Sequence, residues 1–108
     1  MKLSADLLRG YTDVILLRRL AEEDSYGYRI NKRVSEISGG GVELKEATLY
    51  TAFRRMEDAG LIRSYGGNED IGARRRYYAL TEAGRRRLEE ETKAWEETKE
   101  LLNQLIYG

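Results

Sequence analysis

The chain has 108 residues, 35% of them charged, with 19 basic against 19 acidic side chains and a formal net charge of zero. That length allows one modest core, and a large ligand cavity would need a second copy. With no Cys and no His, disulfides and thiolate zinc sites are excluded, and the commonest metal ligand and general base are missing; an enzyme would have to run on a carboxylate pair.

Residues 6–21 carry Leu7, Leu8, Tyr11, Val14, Ile15 and Leu17 at helical spacing and predict a first helix. The apolar run over residues 14–17 is broken by Asp13 and Arg18, too short for a membrane span or a signal peptide, so the chain reads as soluble and cytoplasmic. Asp24 or Ser25 is the expected cap of a second helix, whose buried stripe is Ile30, Val34 and Ile37 and whose end is Gly39-Gly40-Gly41. That triplet is a loop and not a phosphate cradle, because the following ELKEAT lacks the Lys-Ser/Thr such a cradle needs.

A third helix is predicted over residues 45–59, with Leu49, Ala52, Phe53 and Met56 inward and Gly60 as its stop. The period then changes. Residues 61–65 and 74–80 read as two strands of a β-hairpin around a Gly/Asn/Asp loop. Thr81 caps a fourth helix that continues to about Tyr107. Leu88, Trp95 and Leu102 fall seven apart on it, with Thr92, Thr98, Leu105 and Ile106 filling the stripe, a thin seam that a second copy would bury.

Three helices, a hairpin and a long last helix predict a mainly α fold with a small β-hairpin: a winged helix-turn-helix over residues 1–80 and a dimerisation helix over residues 81–108. Lys45, Thr48, Tyr50, Thr51, Arg54 and Arg55 then form a face of the third helix that suits phosphates and base edges, although a solvated face has the same composition. Arg74, Arg75 and Arg76 open the returning strand, where alternation sends Arg75 and Arg76 to opposite faces and at least one should reach phosphate. Arg85, Arg86 and Arg87 read as solvated partners of Glu89, Glu90 and Glu91. Charge is segregated to match: residues 45–87 hold ten Lys/Arg against six Asp/Glu, and residues 88–108 hold two against six.

The stretches DSYGYRI, EATLYTAFRRMEDAGLI and RRRYYALTEAGRRRL together resemble the PadR-like family of bacterial winged-helix transcriptional regulators over nearly the whole chain. The short last helix, its lone Trp, and Thr51 where many members have proline are similar to the family's small multidrug-binding subgroup. The resemblance implies a homodimeric repressor of a double-stranded DNA operator, relieved by planar hydrophobic compounds. It also implies a ligand site in which Trp95 stacks, lined by Tyr11, Asp13, Val14 and Leu17 of the first helix and Leu88, Thr92 and Lys99 of the last. A Trp pair suits flat ligands with few hydrogen bonds, and equally an interface anchor. Lys99 stands where an acidic residue would favour cationic drugs, and Lys45 where many members place a small hydroxyl residue. No cofactor or metal is expected. The competing reading is a winged-helix module for protein contacts, which zero net charge permits; it predicts no steep salt dependence with duplex DNA.

Overall fold

The structure is a computed structural model of the chain and describes residues 1–66 and 75–108. Its elements are α1 (Ala5–Leu8), α2 (Thr12–Glu22), α3 (Gly27–Ile37), α4 (Glu46–Asp58), β1 (Ile62–Gly66), β2 (Arg76–Leu80) and α5 (Glu82–Tyr107). Helix, helix, helix, hairpin and long helix follow in the expected order, and the fold is mainly α with one two-stranded antiparallel sheet.

The predicted first helix is two. Leu8 O accepts from both the Tyr11 N–H at 2.9 Å and the Thr12 hydroxyl at 3.0 Å, and Gly10 between them is a poor helix former, so the chain turns and restarts at Thr12. A second difference lies at α3. Neither Asp24 nor Ser25 caps it; Tyr26 holds the N-cap position without a side-chain bond. Ser25 instead exchanges backbone hydrogen bonds with Tyr78, at 3.1 and 2.7 Å, and acts as a one-residue third strand beside the hairpin. Its hydroxyl accepts from Arg29 Nε at 2.9 Å, which a capping role would forbid.

Leu49, Ala52, Phe53 and Met56 of α4 are buried as the spacing requires, and Phe53 stacks on Tyr78 of β2 with ring centroids 4.2 Å apart. With Leu16, Leu17 and Leu20 of α2, Ile30 and Val34 of α3, and Ile62 of β1, they make one core. Each such side chain contributes roughly 1.5–3 kcal/mol relative to exposure. The α4 end is satisfied by two bonds, Leu61 N–H to Met56 O at 2.9 Å and Gly60 N–H to Glu57 O at 3.0 Å, with Gly60 at a φ of 77° that favours glycine.

One residue joins this end to the next helix. The Thr81 hydroxyl donates to Gly60 O at 2.7 Å and accepts from Gly84 N–H at 3.0 Å, capping α5. Gly84 is buried against the Leu61 carbonyl, leaving no room for a side chain. From there α5 runs 26 residues, about 39 Å at ~1.5 Å per residue. Only its first part is covered: Leu88 is core, whereas Leu101, Leu102, Leu105 and Ile106 are exposed.

Candidate nucleic-acid interface and apolar groove

With one side of α4 committed to the core, Lys45, Thr48, Tyr50, Thr51, Arg54 and Arg55 are all left exposed, as their spacing predicted. They are not equally free. Arg55 is ion-paired with Asp13 of α2, whereas Arg54 has no carboxylate partner among the described residues. Tyr50 meets Phe53 edge-on at 5.9 Å and covers Gly27, where a Cβ would come within 2.7 Å of its hydroxyl. That ring therefore seats α4 on α3 as well as facing outward.

The segment leading into α4 is fixed by a residue that spacing did not single out. Asn31 of α3 donates from Nδ2 to Leu44 O at 2.7 Å and accepts from Leu44 N–H at 3.0 Å. This amide clamp satisfies both backbone groups of Leu44 and sets where α4 begins. An asparagine inside a helical stripe looks like any other polar residue in sequence, so nothing there marks it.

On the hairpin, Tyr65 pairs with Tyr77, and Gly66 with Arg76. Arg75 and Arg76 do separate: the Arg75 guanidinium lies 4.7 Å from the Tyr26 ring centroid, and Arg76 falls in register on the face that holds Tyr78. Arg74 lies outside the described residues. The Arg75 contact extends into a ladder absent from the sequence reading. Tyr26 packs on Tyr77 at 5.3 Å, Tyr77 on Tyr65 at 5.7 Å, Arg29 lies over both Tyr26 and Tyr77, and Arg63 lies over Tyr65. Cations over ring faces and rings on rings hold the hairpin to the start of α3. The Tyr65 hydroxyl closes the ladder by donating to Asp24 Oδ2 at 2.7 Å, and this hydrogen bond raises the phenol above its ordinary pKa, with lesser help from desolvation and the aspartate charge. Arg86 pairs with Glu82 at 3.9 Å and Arg87 with Glu90 at 4.0 Å, both exposed. The second triplet is solvated as expected, though Arg86 reaches back to Glu82 and not forward.

On the other side of α2 lies an open apolar groove of about 630 Å³. Tyr11, Val14, Thr92 and Trp95 line it, four of the eight residues expected at a ligand site. Trp95 is 39% exposed and meets Tyr11 edge-on at 5.3 Å. The other four point elsewhere. Leu17 is 0% and Leu88 5% exposed, both in the core, Asp13 turns to Arg55, and Lys99 pairs with Glu96 at 2.8 Å. Helical geometry explains the split: Tyr11, Val14, Ile15 and Arg18 share one face at spacings of three and four, and Asp13 and Leu17 fall on the other. That period would have found Ile15 and Arg18, which also line the groove. Arg18 donates to Thr92 Oγ1 at 3.2 Å and ties α2 to α5 there. Leu3, Leu7, Val34 and Ile37 extend the groove toward α1 and α3.

Among the described residues there is no cluster of acidic side chains placed to hold a metal ion, and no helix is long and apolar enough to cross a membrane.

A family model described as the transcriptional regulator PadR-like family matches residues 16–90. Among solved structures, a transcriptional regulator from Clostridium thermocellum is 42% identical and superposes with a TM-score of 0.87, covering 93% of this chain and 97% of its own. A PadR family transcription regulator from Clostridium difficile is 41% identical with a TM-score of 0.79, over 89% of this chain and 98% of its own. An uncharacterised protein from Lysinibacillus sphaericus is 38% identical over 104 residues, 96% of this chain and 95% of its own length. Family proteins are regulators of transcription and not enzymes, and they bind DNA, which sets the protein-contact reading aside. A helix-helix-helix-hairpin head, a long terminal helix and these matches place the chain in one group: it belongs to the transcriptional regulator PadR-like family, DNA-binding proteins of winged-helix fold.

Proposed function

We propose that the protein is a cytoplasmic homodimeric repressor whose two α4 helices read a two-fold symmetric operator, and that planar hydrophobic compounds bound beside Trp95 relieve it. Residues 1–80 would contact DNA and residues 81–108 would pair the chains. Lys45, Thr48, Thr51 and Arg54 of α4, with Arg76 on the hairpin, are the side chains best placed to meet DNA.

The observation that carries the reading is the continuity of one apolar surface. The groove beside Trp95 runs on to Leu102, and the exposed Leu101, Leu105 and Ile106 follow. A helix of that kind is marginal alone, and a two-fold partner offers an identical stripe to cover it. Where two copies meet, the half-exposed indoles provide flat faces that accept planar aromatics. The two α4 helices would then sit about 34 Å apart, one turn of DNA. A ligand releases DNA only if it prefers one dimer state, and twenty-fold release requires about 1.8 kcal/mol of such preference.

Trp95 is the sole tryptophan, so its fluorescence reports the groove directly. A planar dye should quench it saturably and release a duplex recovered from fragmented genomic DNA, whereas Trp95→Ala should still bind the duplex but hold it against the dye. Release of the variant at the same dye concentration would refute the ligand site. A chain that sediments as a monomer at micromolar concentration would refute the dimer.

A further inference from the structure

Helix α2 has two working sides. Tyr11, Val14, Ile15 and Arg18 face the groove, and Asp13 projects away from it to accept a hydrogen bond from Arg55 Nη2 of α4. Arg55 stands one turn beyond Thr51, about 6 Å along the helix axis, on the flank next to the residues assigned to DNA. Both partners remain open to water, with side-chain exposures of 57% for Arg55 and 36% for Asp13. Ion pairs this open are weak. A DNA phosphate offers the same guanidinium a charge-assisted bond and releases counterions on contact. Two anions thus compete for one cation, and the fold supplies the first.

We propose that Asp13 is a positioning residue for DNA recognition: it holds Arg55 in the free protein and yields it to a phosphate of the duplex. The seating of α2 against α4 then sets how many cations the reading helix offers, and α2 is also the wall of the groove. This rests on α4 being the helix that meets DNA.

The test is a double-mutant cycle on the full chain, using a duplex selected from a random-sequence pool and binding measured across a salt series. Asp13→Asn should tighten binding about two- to fivefold, the range expected for an exposed pair, and steepen the slope of log affinity against log salt by about 0.9, one additional phosphate contact. Both changes should vanish when Arg55→Gln is already in place and persist when Arg54→Ala is. Equal tightening in the Arg55→Gln background would mean a general charge effect, and no tightening, or a loss, would mean that Asp13 does not compete; each overturns the proposal. Thermal unfolding accompanies every variant, and Asp13→Ser, which keeps a side chain suited to a helix start, replaces Asp13→Asn should the latter fail to fold. A wild-type chain retained by no duplex at low salt overturns the assignment of α4 and this proposal together, whereas a wild type that binds with a null cycle overturns this proposal alone.

Discussion

Gly84→Ala tests the junction between the reading head and the long helix. A Cβ at Gly84 would lie 2.0 Å from Leu61 O and 2.7 Å from Leu80 Cδ1. Ordinary carbon-to-oxygen contact begins near ~3.3 Å, so the start of α5 must lift from the turn after α4 by about an ångström. Overpacking of this kind costs about 1–3 kcal/mol. The shift also strains the bond from Thr81 N–H to Leu61 O, 3.1 Å long, worth another ~0.5–1.5 kcal/mol. Against this stands the helix preference for alanine over glycine, at most about 1 kcal/mol. The net is a loss of about 1–3 kcal/mol, which lowers Tm by roughly 5–20 °C for a domain of this size. Thermal unfolding followed by far-ultraviolet circular dichroism, at one fixed protein concentration because assembly shifts apparent stability, measures it. A Tm equal to or above that of the wild type would refute the close packing and the reasoning built on it.

Arg54→Ala should weaken duplex binding uniformly across sequences and lower the salt slope by about 0.9, read by the same titrations; an unchanged slope would remove Arg54 from the interface. The Tyr65 phenol gives a pH prediction. Its folded pKa is raised above the ordinary 10.0, first by the hydrogen bond to Asp24, so its contribution to stability is present below the unfolded pKa and is lost as pH rises through the folded one. Tyr65→Phe should therefore reduce the loss of stability on going from neutral to strongly alkaline pH, and Asp24→Asn should bring the phenol back down in a spectrophotometric titration. Identical alkaline unfolding of wild type and Tyr65→Phe would dismiss the bond.

The elements that sequence made legible are those whose signal is local. The α4 stripe of Leu49, Ala52, Phe53 and Met56, its glycine stop and the Thr81 cap each need only a few neighbouring residues to declare themselves, and all three are present. The losses are tertiary. Helix propensity over residues 6–21 does not register that Thr12 will take the Leu8 carbonyl, and a serine before a helix reads as a cap whether or not a hairpin recruits its backbone. In the groove, Trp95, Tyr11, Val14 and Thr92 follow from the resemblance, but Leu17 and Leu88 were wanted by the core, whose demand for burial outweighs any ligand's. The Asn31 clamp and the tyrosine-arginine ladder join residues far apart in the chain, and periodicity carries no information at that range.

The Thr81 hydroxyl serves two helices at once, closing the end of α4 and opening α5. No flexible joint therefore separates the helix that meets DNA from the 26-residue arm that leaves it. A swing of the arm is delivered to the head without slack, like a lever rooted in its own fulcrum. In such a body, the angle between two arms fixes the stance of both heads on the double helix.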